Sequence, residues 1–460
     1  MRSTEPHNDA RLRRLEHDFL GACEVPASAL FGIHTVRAMR NFELGGRRLS
    51  DQPTLVEALG VVKIATARAN KELGTVDPER ADAIIGAAQE LREGSLDSSL
   101  QVGMVAGGGG TSIHMNVNEV LANRAGQLLG HPAGSYHVHP NDHVNRSQST
   151  NDVIPTAAGI AVYLAGQTCL SRLDHLRQAL IEQAERHQGW DHLGRTCLQD
   201  ALPVPISAVH ESQAAALARA ARGLSDSLAA LLEVPLGGTA VGTGAGAPPG
   251  FRDVAVARLA EETGLPISAA DNPFEGLASL EPLVSVADRM SAAARTCART
   301  AADLRLLASG PVGGIAEVDL PPVQAGSSAM PGKVNPVIPE LVLQMSFRLA
   351  GSAHTVQLAA GAGELEVSPM APVAIDELLT GLQMLGRTAQ IFADRCIAGL
   401  SWSRDAVQAN LRGSLAAAMQ NVQNDGYDSA AQSYYEDSRQ RARLVALPAH
   451  RFPAGWEVER

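Results

Sequence analysis

Five segments of this chain repeat apolar residues at three- and four-residue spacing, and that repetition constrains the fold more than any other feature. The series are Leu173, Leu176, Leu180 and Ala184; Leu224, Leu228 and Leu231; Met290, Ala293, Cys297, Ala301 and Leu304; Leu341, Met345 and Leu349; and Ile375, Leu378, Leu382, Leu385, Ala389 and Phe392. Each puts an apolar stripe along one face of an α-helix, and such a stripe must be buried against another element. Five of them predict a mainly α protein with a large helical bundle. The composition agrees, with 45% hydrophobic but only 3% aromatic residues, which suits long packed helices better than an aromatic-rich sandwich. Further helical patterns run over 55–73 and 78–91.

A chain of 460 residues exceeds one hydrophobic core and should divide into domains. The expected division is a mostly helical N-terminal domain over 1–148, a long-helix bundle over 149–399, and a short C-terminal segment over 400–460 with helical character near 406–423. Residues 1–18 are charged and expected to form a poorly ordered arm. The net charge of -11 argues against nucleic acid as the main partner, because a phosphate-binding surface needs a basic excess. The five cysteines are scattered and never form a Cys-x-x-Cys pair, which fits free thiols in a reducing compartment. The N-terminus lacks an apolar signal core, and no later run is expected to reach membrane-spanning length. A cytoplasmic location is therefore expected.

Polar clusters interrupt the helices. Gly107-Gly108-Gly109-Gly110-Thr111-Ser112 opens a helix at about Ile113, and the N–H groups of such a start attract anions. No Gly-Lys-Ser/Thr follows, so a nucleotide phosphate loop is not expected; a tight turn and a carboxylate cradle both remain open. His137-Val138-His139-Pro140-Asn141-Asp142-His143 invites a metal reading, but Pro140 breaks helical ligand pairing and no Cys or carboxylate cluster supports it, so no metal is assigned. Directly after it, Asn145-Arg146-Ser147-Gln148-Ser149-Thr150-Asn151-Asp152 holds more hydrogen-bonding side chains than a helix cap requires. Gly194-Arg195-Thr196-Cys197-Leu198-Gln199-Asp200-Ala201 is a third polar insertion. The glycines of 236–244 predict close backbone packing or another donor-rich loop.

The densest candidate is Gly326-Ser327-Ser328-Ala329-Met330-Pro331-Gly332-Lys333-Val334-Asn335-Pro336. Two prolines fix its path and two glycines free it. Lys333 supplies a point charge and Asn335 a directional donor for a carboxylate, and a folded loop could bring the Ser327 hydroxyl to the same anion.

This loop resembles the signature loop of the aspartase/fumarase superfamily. Glu24-Val25-Pro26, Phe31-Gly32-Ile33-His34-Thr35, Gly110-Thr111-Ser112, 140–145, 149–152, 194–201 and 236–244 also look like family blocks, in the family's order from about Leu20 to Leu400. Within the superfamily, Gly32-Ile33-His34-Thr35 and Gly242-Thr243-Gly244 look more like aspartate ammonia-lyase than fumarate hydratase.

The resemblance implies a homotetramer with a twenty-helix core and active sites each shared by three subunits, acting on a small dicarboxylate or amino-acid substrate without a cofactor. It implies a carbon–nitrogen lyase that eliminates ammonia from L-aspartate, or a close derivative, to give fumarate. That reaction is an anti β-elimination through an aci-carboxylate. It gives Ser327 the role of general base, supported by donors of its own loop, with Lys333 and Asn335 as the other catalytic residues. Thr111, Ser112, Ser149, Thr150, Asn151, Thr196, Cys197, Ser328 and Met330 map onto substrate-binding positions, and Met330 would exclude water when the loop closes. An intermediate with added charge on a carboxylate calls for such preorganised donors.

Four places depart from the aspartase pattern. Cys197 follows Thr196 where the family usually carries His or Gln, and Ser207-Ala208-Val209 replaces Gly-Gln-Glu. His114 stands at a usual Asn, and Val367-Ser368-Pro369 replaces Leu-Asn-Val. The lost polar groups could be compensated by His210 or Glu211. They point equally to a lyase or hydratase for another 2-substituted succinate. The reading from another class is a catalytically silent scaffold, against which stand the intact Ser327, Lys333 and Asn335.

Overall fold

The computed structural model describes residues 12–412, 414, 422, 426–433 and 436. It is mainly α, and its strands form four two-stranded pairs among the described residues. By packing, the described chain divides into two compact units. The first comprises the residues up to Leu176, Ala216–Ala301 and Ile338–Phe392; the second comprises Arg177–Ala215, Ala302–Val337 and the residues from Ala393 onward. Neither unit is continuous in sequence, because the long helices carry the chain back and forth.

The first unit opens with antiparallel strands β1 (Arg13–Asp18) and β2 (Gly21–Pro26). The expected disordered arm is therefore ordered from Arg13, while 1–11 lie outside the described residues. Its charges are consumed internally. The Arg14 guanidinium donates to Glu16 and to the carbonyls of Pro26, Ala27, Ala29 and Phe31. Arg37 holds Asp18 through two hydrogen bonds, at 2.8 and 2.9 Å, which gives it a structural role.

Helix α1 (Ile33–Asn41) starts on a buried anion. Glu119, on helix α4 (Thr111–Leu128), accepts from the amides of Gly32, His34 and Thr35 and from the Thr35 hydroxyl, at 2.6–3.0 Å. A carboxylate there complements the helix N-terminus. Burial raises the Glu119 carboxyl, opposed by these hydrogen bonds. A Cβ at Gly32 would lie 2.8 Å from a carboxylate oxygen of Glu119 and of Glu16, so the Gly-Ile-His-Thr block encodes this packing.

Helices α2 (Pro53–Glu72) and α3 (Pro78–Arg92) carry proline in their first turn, and Asp77 caps α3 by accepting the Arg80 amide. The long helices are α5 (Thr150–Arg186), α6 (Ile206–Ala229), α9 (Glu281–Leu307), α10 (Val337–Ala360) and α11 (Ala371–Phe392), with α7 (Phe251–Thr263) and α8 (Pro273–Ala278) between α6 and α9. Within the first unit, Gly166 of α5 packs on Leu228 of α6, Gly386 of α11 on Cys169 and Arg172 of α5, and Gly381 of α11 on Met290 of α9 and Leu349 of α10. A Cβ would clash with Leu228 at Gly166 and with Met290 at Gly381 and would crowd Cys169 and Arg172 at Gly386, so small residues set how closely these helices pack.

Four of the five expected stripes are buried. On α10 the stripe differs: Leu349 is buried, but Leu341 and Met345 are only half-buried, and the inward face runs through Val342, Ser346, Leu349, Ala353 and Val356. Apolar residues lie on several faces of this helix, so spacing alone did not select its inner face. Helix α5 corrects a second expectation. It is long and apolar enough to cross a membrane, with a stretch of mean hydropathy 1.5, of which 61% is buried inside the protein.

In the second unit, β3 (Asp191–Thr196) and β4 (Gln199–Pro205) form an antiparallel hairpin with a bulge between Leu193 and Arg195. Strand β5 (Val318–Asp319) pairs with β6 (Ser401–Trp402), followed by α12 (Arg404–Arg412). The helical expectation for 406–423 holds to Arg412; most of its remainder, and 437–460, lie outside the described residues.

Candidate active site

Two helix starts lie side by side in the first unit. Gly110, with φ +94°, caps α4, and a Cβ there would lie 3.0 Å from Ile154 of α5. Thr111 and Ser112 therefore sit on the first turn of α4, close to the first turn of α5, which carries Thr150 and Asn151. The Thr111 hydroxyl donates to the Gly108 carbonyl at 2.8 Å, which engages its proton, while Ser112 is buried. Helix α5 begins at Thr150 because Ser149-Thr150-Asn151-Asp152 is a capping box. Ser149 Oγ accepts the Asn151 amide at 3.2 Å, and Asp152 Oδ1 accepts the Ser149 amide at 2.9 Å.

Asp152 does more than cap. Its Oδ2 accepts the amides of Gly237 and Thr239 at 3.1 and 3.0 Å, and the Asn151 side chain donates to the Ala240 carbonyl at 2.7 Å. The glycine loop of 236–244 is thus donor-rich as expected, but its acceptor is the protein's own carboxylate. Burial pushes the Asp152 carboxyl up to about 6, with these amides and Lys63 opposing it.

Sequence reasoning missed Lys63. This α2 side chain is fully buried, 2.8 Å from Gln148 Oε1 and 2.7 Å from His114 Nε2, and His114 Nδ1 lies 3.0 Å from Thr150 Oγ1. A lysine inside the Ala-rich pattern of 55–73 was the available signal. Burial lowers Lys63 to about 7 against the charge of Asp152, and burial and Lys63 push His114 well below its ordinary value. Nearby, Ser368 is buried and donates to the Ala278 carbonyl at 2.6 Å, so its hydroxyl is engaged in packing.

The 326–336 loop belongs to the second unit. The Gly326 amide donates to the Lys333 carbonyl at 2.8 Å, and the Asn335 side-chain nitrogen donates to the Gly326 carbonyl at 2.8 Å. Asn335 therefore closes the loop with one N–H. Gly326 is required by proximity rather than backbone freedom, since a Cβ would lie 2.6 Å from Asn335 N. At the head of the loop, Ser327 Oγ accepts the amides of Ala329 and Met330 at 3.2 and 2.9 Å. Two N–H groups aimed at one hydroxyl oxygen favour negative charge there. Ser328 sits between them in sequence; Met330 and Lys333 are exposed.

Thr196 and Cys197 sit at the tip of the β3–β4 hairpin. Thr196 pairs with Gln199, leaving Cys197 and Leu198 as a two-residue turn with φ +53° and +61°, the geometry of a type I′ turn. Two non-glycine residues there store roughly 1–2 kcal/mol of strain each. The hairpin is anchored by Arg195 on buried Glu317. On α6, Ala208 is exposed, as is Glu211 one turn on. His210 cannot compensate for the lost polar groups: it is fully buried, accepting from Trp402 Nε1 at 3.0 Å, with its Nδ1 3.0 Å from Gln213 Oε1. Burial lowers it to about 4.

The histidines of 137–143 are explained by packing. His139 accepts the amides of Asn141 and Asp142, and His143 accepts the His139 amide, which together close the π-turn Pro140–Val144. Among the described residues no group of three or more His, Cys, Asp or Glu side chains could hold a metal ion.

A family model described as a lyase matches residues 21–351. The aspartate ammonia-lyase of Pseudomonas aeruginosa is 42% identical over 392 residues, 84% of this chain and 82% of that protein. The chain belongs to the aspartase/fumarase superfamily of lyases. The class II fumarate hydratase of Thermosynechococcus vestitus is 40% identical over 91% of this chain and 90% of that protein. Among solved structures, a fumarate lyase:delta crystallin from Brucella melitensis superposes with a TM-score of 0.90 at 37% identity, covering 95% of this chain and 94% of that one. The long-helix architecture is therefore that of the superfamily, and the protein is a lyase.

Proposed function

We propose that this lyase eliminates ammonia from L-aspartate, or a close aspartate derivative, to give fumarate. The observation that carries the reading is the Ser327 hydroxyl receiving two backbone amides inside the signature loop. A serine is a poor base in water; a pair of N–H donors stabilises its oxyanion and lets it remove the Cβ proton. Lys333 faces the carboxylate on which charge builds, and Asn335 holds the loop that presents both. Ser149, Thr150 and Asn151 at the start of α5 hold the substrate's other end, where helix N-termini favour a carboxylate. Thr196 and Cys197 face the leaving group, and expulsion of ammonia from Cα completes the elimination.

The site is completed by assembly. Helix α10 leaves Phe347 and Leu358 exposed at 70% and 62%, a second apolar face on a helix already packed along its first. Four copies meeting through their five long helices would cover it, and three subunits would then contribute to each site.

A second reading is favoured by Cys197. A thiol at the strained hairpin tip is smaller and a weaker hydrogen-bonding group than the family's His or Gln. It suits another 2-substituted succinate, including malate. Fumarate absorbance with L-aspartate, malate and N-substituted aspartates separates the two. Turnover of aspartate with matching ammonia release supports the first; silence with aspartate and turnover of another succinate supports the second. Ser327→Ala should keep fold and assembly and abolish either activity. Persistence of activity in that variant would overturn the base assignment.

A further inference from the structure

The chain from Lys63 to Thr150 is fixed in its hydrogen-bond polarity. Gln148 Nε2 donates to the carbonyls of Val144 and Arg146, at 3.0 Å each, which turns its Oε1 toward Lys63 as an acceptor. Lys63 donates to that oxygen at 2.8 Å and meets His114 Nε2 at 2.7 Å. An ammonium only donates, so Nε2 must accept. A neutral amine could instead donate to Gln148 and accept Nε2–H on its lone pair, so the polarity is the one that holds while Lys63 is charged. His114 is neutral, being buried beside Lys63, and its single ring proton is then on Nδ1. That proton faces Thr150 Oγ1 at 3.0 Å, so the threonine oxygen accepts and its own proton must point elsewhere.

We propose that Lys63 and His114 are positioning residues that fix Thr150 as an outward hydrogen-bond donor, so that its hydroxyl offers a proton, not a lone pair, to the substrate carboxylate. The proposal rests on the reading above for the carboxylate at Thr150. The amide usual at position 114 in the family could flip and present either oxygen or nitrogen. An imidazole held by Lys63 presents only N–H. Fixing the donor before substrate arrives removes a reorganisation step from binding.

Two measurements test it. Solid-state 15N NMR of the histidine-labelled, full-length protein below pH 7, where Lys63 is charged, with His114 identified by comparison with His114→Gln, should show a neutral ring protonated at Nδ1. An Nε2-protonated or charged ring overturns the proposal without reference to any substrate. Kinetics with the succinate that the protein turns over form the second arm. His114→Gln can accept from Lys63 and donate to Thr150, and should hold KM within about threefold. His114→Glu presents only acceptors, reverses the Thr150 hydroxyl, and should raise KM about tenfold or more with a smaller change in kcat. In a Thr150→Val background the two variants should have the same KM. Equal KM for both variants in the parent background overturns the relay. Absence of turnover in the parent protein counts against the lyase reading, and the ring protonation then decides the relay by itself.

Discussion

Arg195 holds Glu317 through both terminal guanidinium nitrogens, each at 2.9 Å from a different carboxylate oxygen. Asn410 donates to the same carboxylate at 2.7 Å, and His192 Nδ1 lies 3.5 Å from it. This anchor ties the β3–β4 hairpin, and so Thr196 and Cys197, to the strand start at Val318.

Burial alone would raise the Glu317 carboxyl, but His192, Arg195 and Asn410 bring it down from 4.5 to about 2. A depressed carboxyl contributes stability that is present above its unfolded value and lost as pH falls through its folded one. Thermal stability of the parent should therefore fall between pH 4.5 and 2, and Glu317→Gln should flatten that part of the profile. Glu317→Ala leaves Arg195 without its partner and should destabilise by about 3–5 kcal/mol. An unchanged acid profile in Glu317→Gln would show that the ion pair is not what stabilises the hairpin.

Gly326 and Gly332 should respond differently to alanine. A Cβ at Gly326 would meet backbone atoms of Asn335 and Lys333 at 2.6 and 2.8 Å, so the loop must open. Gly326→Ala should lower kcat/KM about 100-fold or more, since displacing a reacting group by an ångström has that effect. Gly332 has φ +81° and nothing within 4 Å, so Gly332→Ala introduces only backbone strain of about 1–2 kcal/mol. Circular dichroism should show both variants folded, and equal kinetic losses would contradict the loop geometry.

Lys63 makes stability depend on pH at the alkaline side. Burial lowers it from 10.5 to about 7, so between these values the unfolded chain binds more protons than the folded one. Stability from this group therefore rises as pH increases through 7. The buried thiols of Cys169, Cys297 and Cys396, pushed by burial from 9.0 to about 12, act in the opposite sense above pH 9. The melting temperature should rise between pH 7 and 9 more steeply in the parent than in Lys63→Met. A slope that survives the substitution would place its origin elsewhere.

The outer face of α10 offers a test of assembly. Phe347→Asp with Leu358→Asp puts two charges on an apolar face that a tetramer would bury. Light scattering should show dissociation, with loss of activity and retained helicity. A fully active tetramer would exclude this face from the interface.

Much of this architecture was legible because helices bury one stripe, and the stripe repeats in the residues themselves. The series on α5, α6, α9 and α11 name their own inner faces. On α10 the same reasoning chose a neighbouring series, because Leu341 and Met345 are as apolar as Val342 and Leu349 and the polar line of Glu340, Gln344 and Arg348 marks only part of the outside. The signature loop was also legible, since Gly326, Ser327, Lys333, Asn335 and the prolines are contiguous. What Ser327 accepts was anticipated only in kind, as donors from its own loop.

Local sequence determined the family, the helix periods, the capping box at Ser149–Asp152 and the composition of the loop. These depend on neighbours a few residues apart, whose geometry the backbone sets. Tertiary structure alone decided that Arg14 and Glu16 belong to an ordered strand, that His210 is a core residue, and that Lys63 reaches Thr150 through His114. Those outcomes turn on pairings between distant residues in a low-dielectric interior, where a partner decides whether a polar side chain is structural or available for chemistry.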